Sequence, residues 1–349
     1  MSRLDVDVWC WPTGHSDLTT PPGPEALDMT STEPTSVVLT PVWSVVLGDT
    51  DHKEPWHSAD DLAWSPNGEG LLVCGLQVDE DVVAGPGDSW SATWLVARDG
   101  QVIWRDAVGG MALAWSTDGI TFATSMPPMR RSAAQPTRAQ ALAGGALLGW
   151  RDGVVWTRDE GEVVARTEDG AQLRSWPVPG VIQAFDVGPD RAAVVGTDRG
   201  VLAYLPLRGE GWSRALRCLP VPGGRGVSVA RLAPDGGLVA VLRYGGRHRD
   251  VGIHSARTGR CLKRLPKVDA WLEDAAWHPH GTLLAVSEGK GRLRVYDAAR
   301  WTEVGQCTVE EGYLKAIRWQ PEGRAFATIH CVWGRYCRRL MLWDVSTRS

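Results

Sequence analysis

Leu62-Ala63-Trp64-Ser65-Pro66-Asn67-Gly68 is the stretch on which the fold turns. An apolar pair runs into a tryptophan, and a Ser-Pro-Asn-Gly turn follows. Pro fixes φ at the first corner of such a turn and Gly accepts a positive φ at its end, so the apolar runs on either side are set to pair as a hairpin. The phrase returns as Leu113-Ala114-Trp115-Ser116-Thr117-Asp118-Gly119, as Ala275-Ala276-Trp277-His278-Pro279-His280-Gly281 and as Ala316-Ile317-Arg318-Trp319-Gln320-Pro321-Glu322-Gly323. A weaker copy is Ala230-Arg231-Leu232-Ala233-Pro234-Asp235-Gly236, and the weakest is Ala184-Phe185-Asp186-Val187-Gly188-Pro189-Asp190.

The glycines at 236, 281 and 323 are 45 and 42 positions apart. That is the repeat length of a four-stranded propeller blade, roughly 40–45 residues. One full unit reads as strands over 274–277, 282–287, 292–296 and 303–309. The last unit repeats the pattern over 316–319, 325–329 and 339–343, but the chain ends before a fourth strand. The apolar run 42–47 precedes the first inner strand and has no partner of its own. It is expected to complete the last blade, closing the ring and hiding two sheet edges. The trp before each turn is expected to fill the gap between adjacent twisted blades.

The fold class read from this pattern is all-β: a β-propeller of four-stranded antiparallel blades, seven in number. Inner hairpins fall near 68, 119, 153, 190, 236, 281 and 323, at about 44 residues per blade counted from Thr40. Over 126–144 the pattern fails, and Pro127, Pro128 and Pro136 argue against central strands. If that region is only a long loop, the count is six. Residues 1–36 are set apart by Thr19-Thr20-Pro21-Pro22-Gly23-Pro24 and by few apolar residues after Trp11, which reads as an extended or mobile arm ahead of a 37–349 propeller. Val6-Asp7-Val8-Trp9-Cys10-Trp11 alternates, and either adds as a strand or docks on a partner, or else packs as a tail on its own propeller.

Three of these phrases, Ala-Trp-Ser-Pro-Asn-Gly over 63–68, Arg-Val-Tyr-Asp over 294–297 and Met-Leu-Trp-Asp over 341–344, resemble the motifs of WD-repeat β-propellers. The resemblance runs over roughly 40–346. The nearest counterpart of the family's Gly-His pair is His57-Ser58-Ala59-Asp60, and Glu288-Gly289-Lys290-Gly291 stands where the family carries a hairpin Asp. The resemblance implies a rigid disc that presents loops to protein partners.

Composition narrows the function classes. The 349 residues include 37 Lys+Arg and 41 Asp+Glu, a net charge of −4, which argues against a globally basic nucleic-acid binder. There are 19 Trp against 5 Tyr and 3 Phe, five Lys and a single Asn, a skew that suggests a GC-rich bacterial genome. No apolar run of about 18 residues is present to cross a membrane, and residues 1–14 lack the basic-then-apolar order of a signal peptide. A cytoplasmic protein is expected. The seven Cys, at 10, 74, 218, 261, 307, 331 and 337, are scattered through strand-like runs and read as reduced core thiols.

No phosphate loop, zinc-protease helix, nucleophile elbow or dinucleotide fingerprint occurs. His330-Cys331 with Cys337 lacks metal-ligand spacing, and no catalytic residue, metal or cofactor is assigned. His278 and His280 are substituted turn residues, and the acidic run Asp79-Glu80-Asp81 is a solvated loop. Arginines gather near the hairpins between second and third strands: Arg130 and Arg131 with Arg138; Arg243, Arg247 and Arg249; Arg335, Arg338 and Arg339. Gathered on one rim, they would suit an acidic protein or a phosphate-rich ligand. Trp9, Trp11, Trp90 and Trp333 fall outside the repeat pattern. With Arg130, Arg131, Arg247, Arg249 and Arg335 they form the expected partner-binding set. The expected function is a non-catalytic scaffold or adaptor of a bacterial multi-protein assembly. The alternative is a propeller hydrolase or lyase, with inner-strand acids such as Asp60, Asp61, Glu273 and Asp274 lining a central channel.

Overall fold

A computed structural model of the chain describes residues 36–47, 56–78, 90–106, 112–124, 129–188, 192–205, 207, 217–220, 226–243, 250–268, 270–309, 312–331 and 338–348. They form a seven-bladed β-propeller of four-stranded antiparallel sheets. The first strand, β1 (Ser36–Leu47), belongs to the last blade. Blade one is β2 (Trp56–Trp64), β3 (Gly70–Val78), β4 (Trp90–Ala97) and β5 (Val102–Asp106); blade two is β6 (Leu113–Trp115), β7 (Thr121–Thr124), β8 (Met129–Ser132) and β9 (Gln135–Ala141). Blade three is β10 (Ala146–Arg151), β11 (Val154–Asp159), β12 (Glu162–Thr167) and β13 (Gln172–Pro177); blade four is β14 (Ile182–Val187), β15 (Ala193–Thr197), β16 (Val201–Leu205) and β17 (Arg217–Pro220). Blade five is β18 (Val227–Leu232), β19 (Leu238–Arg243), β20 (Gly252–Ser255) and β21 (Cys261–Arg264); blade six is β22 (Leu272–Trp277), β23 (Leu283–Glu288), β24 (Arg292–Asp297) and β25 (Glu303–Thr308). Blade seven is β26 (Tyr313–Trp319), β27 (Ala325–Cys331) and β28 (Arg338–Arg348), with β1 as its outermost strand.

The recurrent turn closes as its residues require. Gly68 N–H donates to Ser65 O at 2.9 Å, Gly281 N–H to His278 O at 2.8 Å and Gly323 N–H to Gln320 O at 2.9 Å, each Gly with φ near +70°. The tryptophan ahead of the turn packs between blades and also carries a hydrogen bond. Trp64 Nε1 donates to Arg318 O (3.1 Å), Trp115 to Ala63 O (2.9 Å), Trp277 to Arg231 O (3.0 Å) and Trp319 to Ala276 O (3.0 Å). In each case the acceptor sits on the inner strand of the preceding blade, so one residue type supplies apolar filling and a directional link across the seam.

The region that breaks the pattern is the outer half of blade two. Over 129–141 the chain forms β8 and β9, and Pro136 lies on the outermost strand, where its missing N–H faces no neighbour in the sheet. This fixes seven blades and removes the six-blade alternative.

Ring closure follows the expected route with a longer strand. β1 pairs with β28 from Ser36↔Arg348 to Leu47↔Arg338, and Val42 is bulged between Pro41↔Trp343 and Trp43↔Leu342. The bulge moves the odd-numbered side chains from one sheet face to the other. Leu39 packs in the core shared with blade six, whereas Trp43, Val45 and Leu47 pack in the core shared with blade one. Trp43 Nε1 donates to Arg98 O, in the turn between β4 and β5, at 3.0 Å. β1 therefore joins three blades at once.

Candidate functional site

Bulges recur on the channel side. Asp60, Leu148, Gln183, Ser228, Glu273 and Lys315 are each the extra residue where an inner strand shifts register against its second strand. A bulge re-aims its side chain. Here Leu148, Gln183, Ser228, Glu273 and Lys315 all line a cavity of about 420 Å³ at one end of the channel. A second cavity of about 490 Å³ lies toward the inner-hairpin turns, where Trp64, Trp115, Trp150 and Phe185 line it.

Asp61, Arg231 and Arg318 border both cavities and belong to a chain of charges that crosses blade after blade. Asp274 of blade six is its centre. One carboxylate oxygen accepts from Arg231 Nη2 (3.0 Å) and Nε (3.3 Å) and from Ala275 N–H (2.9 Å); the other accepts from Arg318 Nη1 (2.6 Å) and Ile317 N–H (3.1 Å). Arg318 Nη2 also donates to Asp61 of blade one, across the ring-closing seam. Burial opposes the charge on Asp274, but Arg231 and Arg318 outweigh it and hold the carboxyl below the usual range. Burial likewise opposes the charge on Arg318, and Asp61 and Asp274 overcome it, raising its pKa. Asp186 of blade four accepts the Leu232 N–H of blade five at 2.8 Å, and burial pushes its pKa up despite Arg231. Glu273 is raised by burial and partly offset by a hydrogen bond from Trp271. The opposite wall mixes Ala112, Ala146, Leu148 and Phe185 with the polar Arg158 and Gln183.

Asp61, Glu273 and Asp274 were recognisable as inner-strand acids; Arg231 and Arg318 were not singled out. Their signal lay in the repeat column just before the turn aromatic, where Ala63, Ala114 and Ala276 alternate with Arg231 and Arg318.

Of the nine expected partner-binding residues, the structure describes Trp90, Arg130 and Arg131. Trp9, Trp11, Arg247, Arg249, Trp333 and Arg335 lie outside the described residues. Trp90 is the first residue of β4, opposite Gln77. Arg130 lays its guanidinium over the Trp150 ring at 5.4 Å. Arg131 is only 6% exposed: it pairs with Asp106 at 2.8 Å, donates to Pro136 O at 2.8 Å and covers Trp104 at 5.3 Å. It therefore fastens blade two to blade one and offers little surface to a partner. Arg339 is exposed on β28. The acidic run at 79–81 and Cys337 lie outside the described residues, while His330 and Cys331 are buried in β27. Among the described residues no group of three His, Cys, Asp or Glu is placed to hold a metal ion, no helix is long and apolar enough to cross a membrane, and Cys74, Cys261, Cys307 and Cys331 form no disulfide. No protein-family model matches the chain, and no curated protein is significantly similar to it.

Proposed function

We propose that the chain is a non-catalytic protein-interaction platform of WD-repeat type, a scaffold or adaptor subunit of a bacterial cytoplasmic assembly. The observation that carries this reading is the commitment of Asp61, Arg231, Asp274 and Arg318 to one another. A hydrolase or lyase needs a carboxylate or imidazole poised toward substrate. Asp274 is instead locked by two guanidiniums and two backbone N–H groups, and Asp61 accepts from Arg318. The channel reads as a fastening, which leaves the loops on the two rims as the working surface. Arg199 and Lys290, in turns between second and third strands of blades four and six, add cationic groups suited to an acidic protein.

Affinity capture of the tagged full-length chain from its native cells, followed by mass spectrometry, tests this. The expected result is at least one protein recovered in near-stoichiometric yield. Recovery of the chain alone, with a small molecule that it converts on incubation, would overturn it.

A further inference from the structure

Cys74, Cys261, Cys307 and Cys331 do not share one environment. Cys74 and Cys331 are fully buried, and burial pushes the Cys74 thiol well up and that of Cys307 up to about 12, which holds them inert. Cys261 is partly exposed and opens β21, the outermost strand of blade five. Gly252 pairs with Arg264 and His254 with Cys261, and Leu262 bulges between the two pairs, so these four positions share one face of the blade. Val239 and Val241, opposite His254 and Gly252 on β19, pack with Val194 and Leu202 of blade four. The group therefore sits in the seam between blades four and five.

His254 supplies the second observation. It is 1% exposed, and its Nδ1 lies 3.0 Å from Gly259 O, which can only accept, so Nδ1 carries the proton. Burial lowers the imidazole pKa and keeps the ring neutral. Nε2 is then a bare acceptor, buried and without a hydrogen-bond partner among the described residues. It is aimed at the thiol: a Cβ on Gly252 would lie 2.8 Å from His254 Nε2 and 3.9 Å from Cys261 Sγ. The side chain that Gly252 lacks thus leaves a small space with a lone pair on one side and a sulfur on the other. The thiol itself donates to Lys263 O at 3.4 Å. Arg264, held by Asp250 at 2.8 Å, bonds the sulfur, and Arg243 acts on it electrostatically.

We propose that Cys261 is a peroxide-sensitive thiol whose oxidised form, a sulfenic acid, is held by His254. Sγ attacks one oxygen of a hydroperoxide, and the S–O bond forms as the O–O bond breaks. Sulfur loses two electrons, and the departing oxygen gains them and takes the thiol proton, so hydrogen peroxide leaves as water. The guanidiniums of Arg243 and Arg264 stabilise the negative charge that builds on sulfur and on the departing oxygen. The new S–O–H group donates to His254 Nε2 and gives a buried lone pair its partner, which removes the cost of an unmade hydrogen bond.

The test treats the reduced full-length chain with hydrogen peroxide, traps sulfenic acid with dimedone and reads the Cys261 peptide by mass spectrometry. Cys261 is expected to react at least tenfold faster in the native chain than in the same chain unfolded in urea. His254→Phe keeps a buried ring but removes the lone pair, and Gly252→Ala puts a methyl group between Nε2 and Sγ. Each is expected to slow Cys261 at least fivefold while far-UV circular dichroism stays unchanged. A native rate no faster than the unfolded one, or a wild-type rate in either folded variant, overturns the inference.

Discussion

Replacing Asp274 with Ala tests the fastening role of the channel. The carboxylate is almost fully buried, and its removal strips Arg231 and Arg318 of a shared anion and leaves the Ile317 N–H without its acceptor. Breaking a buried ion pair from one side costs roughly 3–5 kcal/mol. The two guanidiniums retain access to channel water, at 20% and 22% side-chain exposure, and Arg318 keeps Asp61, so the lower end applies, about 3 kcal/mol. Unfolding entropy of about 2 cal/mol/K per residue over roughly 300 residues converts this to a fall of about 4–5 °C in Tm by scanning calorimetry. The difference carries a pH signature. A carboxyl with a depressed folded pKa contributes stability that is present above its unfolded pKa of about 3.9 and lost as pH falls through the folded value. The gap between wild type and Asp274→Ala is therefore expected to hold from pH 7 to about 5 and to shrink below about 4. A Tm within about 1 °C of wild type at pH 7, or a gap that widens in acid, would refute the reasoning.

Two further outcomes follow from the seams. Trp319→Phe keeps an aromatic ring between blades six and seven but removes the donor to Ala276 O; urea unfolding is expected to show a loss of about 1–2 kcal/mol, the cost of leaving that acceptor unpaired. Gly323 and Gly153 share a φ near +70°, yet a Cβ on Gly323 would lie 2.3 Å from His278 Nε2, while one on Gly153 meets nothing within 4 Å. Gly153→Ala is expected to cost about 1 kcal/mol from backbone strain alone, and Gly323→Ala clearly more, since an imidazole bonded to Gly323 O must also move.

The blades were legible because the turn is a local event: Pro and Gly fix it within four residues, and its spacing of just over forty counts the sheets. Blade two obscured the pattern because its outer hairpin holds Pro136 and polar residues, which an edge strand tolerates and a central strand does not. The channel was harder to read. A bulge adds one residue to the inner strand, so the two-residue alternation that marks a face slips at Asp60, Gln183, Ser228, Glu273 and Lys315. The pairing of Asp274 with Arg231 and Arg318 joins residues over forty positions apart, and nothing local announces it. The tryptophan column was evident as packing material. Its Nε1 bonds were not, since their acceptors are backbone carbonyls, which every residue supplies.

The closing ladder also sets an order of events. Ser36 pairs with Arg348, so the first strand of the propeller cannot find its place until the last has been made. Until then β1 is a long uncharged strand with both edges bare, and blade one lacks the cover that Trp43, Val45 and Leu47 provide. Non-local pairing of this kind is slow, and an exposed strand invites the wrong partner while it waits. The last step of folding and the greatest hazard of misassembly thus fall on the same twelve residues.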